Sequence, residues 1–359
     1  MDLNILDTSF NKMYIVDEYK SLIWNDRYNK AGDFELYVPA SETNFQIFQN
    51  GYYITSDISD HVMIIEDMSV TTDVESGAFL IISGRSIESI LDRRIVWTQT
   101  NISSYAYVYD AISRLLNDNI CGSSIGNRRV PEFSQTLNID VPVRSIRNIY
   151  DMQFTGDNLY DTIVKICNTY GIGFEMYLEN NKFVFHLFVA LDRSYAQNDL
   201  PYVEFSPNFD NLISSDYKLV TSVYKNVTLV AGEGEGIDRK TVSINSDVYS
   251  GLQRRELYTD ARDLSTNVDG GTLTPAQYNE VLTNRGLAKL TETQVETNFD
   301  AKVDHTQPYI YGQDYYMGDI VQFQNQFGIS YRVRVVESIY SESESGIEQY
   351  PTFEILEED

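Results

Sequence analysis

Apolar and polar residues alternate over much of the first hundred positions, and this period of two predicts β-strands. In residues 32–38 one face carries three apolar side chains, those of Phe34, Leu36 and Val38. The same kind of pattern predicts a hairpin over residues 11–24. Three single strands are predicted at residues 52–58, 62–70 and 78–83. A short helix is expected after them, with Ser86 as its N-cap.

Residues 101–200 combine helical and strand patterns. Apolar residues three and four positions apart predict amphipathic helices at residues 105–117 and 157–170, and Asp157 is the expected N-cap of the second. Two alternating strands follow, joined by Asn180-Asn181. Because asparagine tolerates positive φ, this pair is typical of a hairpin turn. The whole segment is expected to be an α+β module.

Strand patterns return after residue 200 and are interrupted by one helical stretch. Strands are predicted at residues 214–220, 224–231 and 239–244. Thr274-Pro275 is typical of an N-cap followed by proline at the first helical position, so a helix is expected from there to about Thr297. From Tyr309 the strand patterns resume and continue to Leu356.

Two stretches with the same order of features indicate an internal repeat. Tyr52-Tyr53 and the turn after it resemble Tyr315-Tyr316 and the turn that follows there. Two further pairs of segments match downstream: Ile64-Ile65-Glu66 with Val335-Val336-Glu337, and Phe79-Leu80-Ile81 with Phe353-Glu354-Ile355. The repeat predicts two similar antiparallel β-domains, the second interrupted by residues 250–297.

The length and these patterns together define the expected fold. At about 100–200 residues per domain, a chain of 359 residues contains about two to four domains. The expected class is α+β and mainly β, with two similar antiparallel β-barrel domains, an α+β domain and a helical insertion. The expected boundaries are residues 1–100 for the first barrel, 101–200 for the α+β domain, 201–250 with 298–359 for the second barrel, and 251–297 for the inserted helical domain.

The charge balance excludes several classes of partner. The chain has 27 lysines and arginines against 53 aspartates and glutamates, a formal net charge of −26. Such an acidic surface repels phosphate groups, so we expect neither specific DNA binding nor attachment to an anionic membrane. The sequence has no apolar run near the ~20 residues that span a bilayer and no secretory signal at its start. A membrane anchor is therefore not expected.

Residue types that usually catalyse reactions or bind metals are few and scattered. The two cysteines, Cys121 and Cys167, form no disulfide framework or metal cluster, and the three histidines lack zinc-binding spacing. No Gly-x-Ser-x-Gly elbow is present. Carboxylate catalysis needs one acid held protonated near neutral pH, and among 53 acidic residues the spacing of close pairs carries no information. We therefore expect no catalytic residue, no cofactor and no metal.

A glycine-rich run, Gly232-Glu233-Gly234-Glu235-Gly236, stands between two predicted strands. A phosphate-binding loop would open a helix and offer a positive field. Here two glutamates interleave the glycines and a strand pattern begins at Arg239, so phosphate binding is not expected. A flexible hairpin connection and a contact loop for a partner subunit both remain open.

Arginines cluster around the predicted short helix in a chain that is poor in basic residues. Gly84-Arg85-Ser86 precedes this helix and Asp92-Arg93-Arg94 follows it. Arginine forks pair well with carboxylates, so Arg85, Arg93 or Arg94 is expected to form such a pair. Whether the carboxylate belongs to the same chain or to a neighbouring subunit of a ring stays open. Arg254-Arg255 allows the same two interpretations.

Several segments, taken in order, resemble motifs of one known family. Residues 31–39 (AGDFELYVP) resemble the G-D-F-E-L-x-V-P opening of siphophage tail-hub proteins. Gly84-Arg85-Ser86 with Leu91-Asp92-Arg93-Arg94-Ile95 resembles the family's Gly-Arg-Ser…Leu-x-Arg-Arg-Ile segment. The glycine–glutamate run with Arg239, and residues 314–321 (DYYMGDIV), are similar to its later motifs. Nearly the whole chain is thus similar to siphophage tail-hub, or baseplate hub, proteins, whose fold also forms the N-terminal region of tail-associated lysins.

This resemblance implies the contractile-tail hub fold and a structural role at the tip of a phage tail. The implied protein is a homotrimer whose two β-barrels per chain adapt six-fold to three-fold symmetry, closing the distal tube and anchoring adsorption components for genome ejection. The implied partners are further copies of the chain, the distal tail protein ring, the tape-measure protein, and receptor-binding or tail-fibre proteins. DNA is expected to pass without specific binding. The implied location is the distal tail end of the virion, after synthesis in the host cytoplasm.

The resemblance does not extend to an enzymatic activity. In related proteins hydrolase activity belongs to a C-terminal extension, and this chain ends at Asp359, just after the second barrel pattern. The main alternative is a tail-associated cell-wall hydrolase that uses carboxylate catalysis, and a third is a carbohydrate-binding tail module, supported only by the 27 tyrosines. The candidate interface residues are Gly84, Arg85, Arg93, Arg94, Gly232, Glu233, Gly234, Glu235, Gly236 and Arg239.

Overall fold

The computed structural model describes residues 2–73, 77–148, 152–268, 271–294, 296–303 and 308–356. The contacts divide the chain into two compact units. The first is formed by Met1–Ser215 together with Asp300–Asp359, and the second by Asp216–Phe299.

Strands account for most of the regular structure, and the expected class, α+β and mainly β, is confirmed. In chain order the strands are β1 (Leu3–Leu6), β2 (Lys12–Val16), β3 (Ser21–Arg27), β4 (Asp33–Pro39), β5 (Tyr53–Ser56), β6 (Met63–Asp73), β7 (Gly77–Ser86), β8 (Thr100–Asn101), β9 (Asn138–Ile139), β10 (Gln153–Phe154), β11 (Gly173–Glu179), β12 (Lys182–Phe188), β13 (Glu204–Phe205), β14 (Leu212–Val220), β15 (Val227–Ala231), β16 (Thr241–Ile244), β17 (Glu256–Asp260), β18 (Asn267–Val268), β19 (Gly271–Thr272), β20 (Glu296–Val303), β21 (Ile320–Gln324), β22 (Ser330–Ser343) and β23 (Gly346–Ile355). The α-helices are α1 (Glu42–Ile47), α2 (Val108–Leu116), α3 (Leu159–Tyr170) and α4 (Pro275–Thr291). Short helical segments lie at Ile87–Arg93, Ile102–Ser104, Asn117–Cys121, Gly126–Arg128, Val143–Ser145, Pro207–Phe209, Gly236–Asp238 and Gly251–Gln253.

One 11-stranded sheet dominates the first unit, in the order β13-β21-β22-β3-β4-β7-β6-β5-β1-β2, with β23 also paired to β22. Strand β22 joins the early and late strands because it is long: its first part pairs with β21, and residues 337–343 pair with β3. We expected these two groups of strands to form separate barrels. The hydrogen-bonded ladder instead runs without a break between them.

The hairpin predicted over residues 11–24 is wrong, although both of its strands exist. Strand β2 pairs with β1, whose Leu3 lies opposite Val16, while β3 pairs with β4 and β22. The alternating pattern finds strands but not their neighbours. The neighbour of β2 is β1 instead of β3. Strand β1 is formed by the first residues of the chain, and its Leu3 and Ile5 are fully buried.

The internal repeat is present in the strand pairing. Both β6–β7 and β22–β23 are long hairpins interrupted by a β-bulge, at Glu66 in the first and at Val336 in the second. From each bulge the same number of paired positions leads to the turn, which ends at Gly77 in one and at Gly346 in the other. Because bulges are specific features of a fold rather than random defects, equal placement indicates equivalent hairpins.

The residue-by-residue match of the repeat differs from the one that the sequence indicated. With the bulges aligned, the register makes Ile65 equivalent to Val335. Tyr53, which pairs with Ile64, is then equivalent to Ile320, which pairs with Arg334. The expected match of Tyr52-Tyr53 with Tyr315-Tyr316 is therefore wrong. The likeness of the two tyrosine pairs is local sequence similarity at different places in the repeat.

Among the described residues, two hydrophobic cores contain residues of the early strands of the main sheet. One is formed by strand residues of the first hundred positions, among them Leu22, Trp24 and Leu36, and it includes Tyr340 from β22. The other unites α2, α3, β11 and β12 with sheet residues such as Ile64. Residues 101–200 therefore share a core with the preceding strands, and they contain the predicted hairpin, with positive φ at both Asn180 and Asn181.

The second unit is a small α+β fold with its own core. Strand β15 pairs with β16 and β17, and α4 packs on this sheet. The core is formed by apolar residues of sheet and helix: Val230, Ile244, Ala261, Tyr278, Leu282 and Leu290. We expected residues 201–250 in the second barrel and an insertion only from residue 251. Strands β15 and β16 belong to this unit because both pack against α4 and because β15 pairs with the downstream strand β17.

Helix α4 begins as the sequence predicts. Thr274 is its N-cap and forms a capping box with Gln277, and Pro275 occupies the first turn. The helix ends at Thr291, earlier than the predicted Thr297. Gly286 lies where the helix meets the sheet, because a Cβ there would collide with side chains of β15 and β16.

Candidate assembly surfaces

Gly84 is required by the bulge in the β6–β7 hairpin. It lies opposite Ile65, beside the extra residue Glu66, and a Cβ at this position would overlap the carbonyl oxygen of Ile64. The bulge turns the Glu66 side chain towards the arginines that follow. The glycine of the Gly84-Arg85-Ser86 motif thus has a backbone role, and its neighbours carry the charge.

Arg85 and Arg93 both bind Glu66 of the same chain. The guanidinium of Arg85 forms a fork on this carboxylate, with Nε 2.8 Å from Oε2 and Nη2 3.1 Å from Oε1, and it also donates to Asp92 at 3.2 Å. Arg93 Nη2 donates to Oε1 at 3.3 Å. Although desolvation alone would raise it, the pKa of Glu66 is lowered by Arg85 and Arg93. For these two arginines the structure contains the intramolecular pairing.

Arg94 differs from the other two arginines. It donates only to the backbone carbonyls of Arg128, at 3.3 Å, and Arg93, at 3.0 Å, and it has no carboxylate partner within the described ranges. Arg128 stacks on Trp97, with its guanidinium carbon 4.9 Å from the ring centroid, and Trp97 is 58% exposed. Together with Ile95 and Ile125, these side chains line an open cleft, which we call the Arg94 cleft.

The glycine–glutamate run forms the turn of a hairpin. This is the first of the two alternatives that the sequence leaves open, a hairpin connection or a contact loop for a partner subunit. The amide of Gly232 donates to Lys240 O and that of Lys240 to Glu233 O, between β15 and β16. Gly234 and Gly236 have φ values of +102° and +54°, which favour glycine. The tip of the turn is exposed around Ile237.

The charged residues of this loop are engaged inside the second unit. The Glu233 carboxylate accepts bonds from the amide and hydroxyl of Thr266, at 2.9 and 2.7 Å, and the Thr266 amide lowers the pKa of Glu233. Arg239 donates to Gly232 O and Ala231 O, both at 3.1 Å, and to Asp260 at 2.9 Å. The Thr266 donors are thus taken by the Glu233 carboxylate rather than left for an external anion.

The members of a buried polar cluster are far apart in the chain, so no local sequence pattern indicates the cluster. His61 Nδ1 lies 3.3 Å from Glu88 Oε1, as an ion pair without hydrogen-bond geometry, and Glu88 also accepts from the Met176 amide at 2.7 Å. Asp26 accepts from the Trp24 indole at 2.9 Å. Although desolvation alone would lower it, the charges of Asp26 and Glu88 raise the pKa of His61 to about 10.

A second buried ion pair joins Asp319, in the Asp-Tyr-Tyr-Met-Gly-Asp-Ile segment, to Arg193. Asp319, 2% exposed, binds Arg193 at 2.8 Å and accepts from the Leu191 amide at 2.8 Å. Gly318, at φ +85°, precedes it where a Cβ would collide with the ring of Tyr28. The sequence marked this motif only as a resemblance, and its role here is to anchor the start of β21.

Two kinds of feature are absent from the described residues, metal-ligand clusters and membrane-spanning helices. No cluster of three or more His, Cys, Asp or Glu side chains there could hold a metal ion. No helix in this part of the chain has the length and apolar character to cross a membrane.

The fold is that of phage tail proteins. It is similar to the tail protein from Neisseria meningitidis MC58, with 12% identity, a TM-score of 0.58, and coverage of 99% of this chain and 96% of that chain. The 43 kDa tail protein of prophage MuSo2 from Shewanella oneidensis is 11% identical, with a TM-score of 0.57 and coverage of 99% and 98%. The prophage tail protein gp18 from Listeria monocytogenes EGD-e is 13% identical, with a TM-score of 0.51 and coverage of 99% and 94%.

The family follows from a match over almost the whole chain. Residues 2–353 match the model of the Siphovirus ReqiPepy6 Gp37-like protein, and the chain belongs to this family. A comparison with curated proteins finds no match. The chain is thus a siphovirus tail protein, and the expectation of a phage tail protein is confirmed.

Proposed function

We propose that this protein is the hub of the tail tip, a homotrimeric ring that closes the distal end of the tail tube. The internal repeat carries the proposal. Each chain contains two equivalent bulged hairpins, β6–β7 and β22–β23. Three copies therefore present six similar groups of strands, which lets a three-fold ring fit beneath a six-fold tube and adapt one symmetry to the other.

The proposed hub contacts several other tail components. Its neighbours are the distal tail protein ring, the tape-measure protein, and receptor-binding or tail-fibre proteins that it anchors for genome ejection. The Arg94 cleft suits a partner with carboxylates, since Arg94 and Arg128 lie beside exposed apolar side chains in an otherwise acidic chain. Gly84, Arg85 and Arg93 are supporting residues of this region, since Arg93 lines the cleft and Arg85 is bonded to Asp92 beside it. The tip of the Gly232–Gly236 loop, with Arg239 as its supporting residue, is a separate proposed contact region in the second unit.

The acidity of the chain suits a channel through which DNA passes without binding. Three copies would carry three times the charge of −26, or −78. Carboxylates along a passage repel phosphate groups and keep a nucleic acid from adhering. Transient passage without specific contacts is the interaction with DNA that we propose.

The protein has no enzymatic role in this proposal. Carboxylate catalysis needs an acid that stays protonated near neutral pH and can reach its substrate. Burial raises the pKa of Asp26, but this carboxyl is bonded to the Trp24 indole and faces His61 and Glu88 within the fold. Two further buried carboxylates, Glu88 and Asp319, are held by a histidine and an arginine. The family and its structural relatives are tail proteins.

Immunogold electron microscopy of intact virions tests the location. Antibodies raised against the purified chain are expected to label the distal end of the tail, at the tip opposite the capsid. Antibodies absorbed with the same protein serve as the control. Label along the tube or at the capsid would contradict the proposal.

A turbidity assay tests the absence of enzymatic activity. Incubation of the protein with host cell walls is expected to leave their turbidity unchanged. Clearing that disappears in an Asp26→Asn variant would favour the hydrolase.

A further inference from the structure

The outer edge of β6 beyond its bulge is unpaired. Residues 67–73 of β6 are bonded to β7 on one side, and no described strand covers the other side, because β5 reaches only Met63 and Ile64. Residues 67–72 are exposed, including two apolar side chains on one face, Met68 at 39% and Val70 at 51%. An edge of this kind is a template for a further strand.

The repeat shows how the equivalent edge is used within the chain. With the bulges aligned, residues 67–73 correspond to residues 337–343 of β22, whose outer edge is paired with β3. Met68 corresponds to Ser338, which is 4% exposed, and Val70 to Tyr340, which is 8% exposed. Strand β3 thus buries in the second hairpin the face that stays open in the first.

We infer that a second copy of this chain supplies the missing strand on β6. The inference rests on the proposed trimer and names its interface. The late half of the chain also contains a pair of strands ahead of its bulged hairpin, β14 with β20, as β3 and β4 lie ahead of β6–β7. From this common order along the chain we assign β14 of the neighbouring copy to the position on β6 that β3 takes on β22.

This pairing extends the sheet from copy to copy. Within a chain, β22 of the late half pairs with β3 of the early half. Between chains, β6 of the early half pairs with β14 of the late half. Each copy then offers β6 to one neighbour and β14 to the other, which is the head-to-tail arrangement that closes into a ring. Met68 and Val70 become buried on assembly, and the free edge disappears.

Hydrogen exchange measured by mass spectrometry on the native protein tests this interface. In an antiparallel edge strand alternate amides point outward and exchange freely. If β6 is covered, both sets of amides in residues 67–73 are protected, and residues 212–220 are protected with them. Strand β2, the last strand of the sheet, is the internal control, and its outward amides are expected to exchange freely.

The outcome separates this interface from the trimer itself. If the particle has the mass of a trimer while residues 67–73 exchange as freely as β2, the interface is wrong and the hub proposal stands. If the particle is not a trimer, the hub proposal fails as well. Protection of β2 instead of β6 would also overturn the inference.

A charge placed on the open face gives an independent test. Val70→Asp would bury an unpaired carboxylate at the proposed interface, so the concentration for half-assembly is expected to rise at least about tenfold. Val141→Asp is the matched control, because Val141 is 80% exposed in the same unit but lies outside the interface. Circular dichroism should be unchanged in both variants. Equal assembly of the two would contradict the inference.

Discussion

A buried ion pair, Arg193–Asp319, holds the start of β21 in place. Arg193 and Asp319 are 12% and 3% exposed at their side chains and are joined at 2.8 Å. Asp319 also accepts amides from Leu191 and Tyr316, so its carboxylate is saturated with donors. Such a pair costs desolvation when it forms, and removing one partner leaves the other charge buried and uncompensated.

Asp319→Asn is expected to lower the free energy of unfolding of the first unit by about 3 kcal/mol. The amide removes the charge that compensates Arg193 while keeping the size of the side chain. Urea unfolding measures the change. Arg114→Gln is the control, since its pair with Asp118 is exposed and should cost less than about 0.5 kcal/mol. Equal effects of the two changes would show that the Arg193–Asp319 pair is not a structural anchor.

The His61 cluster makes part of the stability dependent on pH. The pKa of His61 is raised to about 10, against about 6.5 in an unfolded chain. Its contribution is therefore complete below pH ~6.5 and is lost as the pH rises towards about 10. We expect His61→Gln to destabilise the protein more at pH 6 than at pH 10, by over ~1 kcal/mol. Thermal unfolding at both values measures this, and a pH-independent loss would contradict it.

Single residues were only partly predictable from the sequence. The arginines around the short helix stand out in the sequence because basic residues are rare. Pairing with a carboxylate is expected for Arg85, Arg93 or Arg94, and the structure contains it for Arg85 and Arg93. Glu66, the carboxylate that both bind, was not identified because the bulge that presents it depends on the register of two strands. The His61 cluster joins four distant segments of the chain, so no local spacing indicates it.

At the scale of elements, the bulged hairpin depends on Gly84. Gly84→Ala is expected to destabilise the protein by about 1–3 kcal/mol, because the new Cβ meets backbone atoms that cannot move aside as a side chain would. Gly126→Ala is the matched control, since a Cβ there meets nothing within 4 Å. Thermal unfolding compares the two variants. A neutral Gly84→Ala would mean that the bulge tolerates a side chain.

The Arg94 cleft belongs to the same region but predicts a different effect. Arg94→Ala should leave thermal unfolding nearly unchanged, since Arg94 bonds only two backbone carbonyls. If the cleft receives a carboxylate of a partner, the same change should weaken assembly at least about tenfold. Arg114→Ala, on a solvent-exposed face, should change neither. Sedimentation at a series of concentrations gives the result, and unchanged assembly would remove the cleft from the interface.

Secondary structure was more predictable than strand order. Strand periodicity located β3 to β7, and the capping signals of Thr274-Pro275 placed the start of α4 correctly. The N-cap of α3 is Asn158 rather than the expected Asp157. Asparagine and aspartate are equally good N-caps, so the sequence does not distinguish the two positions. The predicted hairpin over residues 11–24 failed because period two identifies a strand's faces and not its hydrogen-bonding neighbours.

For the whole molecule, the repeat was predictable but its alignment was not. The order of strands and turns recurs in both halves, and this order survives in the bulged hairpins. Side-chain identities at equivalent positions have diverged, as with Val70 and Tyr340, so similarity of tyrosine pairs pointed to the wrong register. The continuity of the sheet depends on the length of β22, which extends past β21 to β3.

The mass of the native particle in solution tests the trimeric hub most directly. Native mass spectrometry or light scattering of the purified chain at micromolar concentration is the measurement. A trimeric hub has an expected mass of about 124 kDa, three times the 41.2 kDa of one chain. A particle that stays at 41.2 kDa, or that assembles with a number of copies other than three, would contradict it.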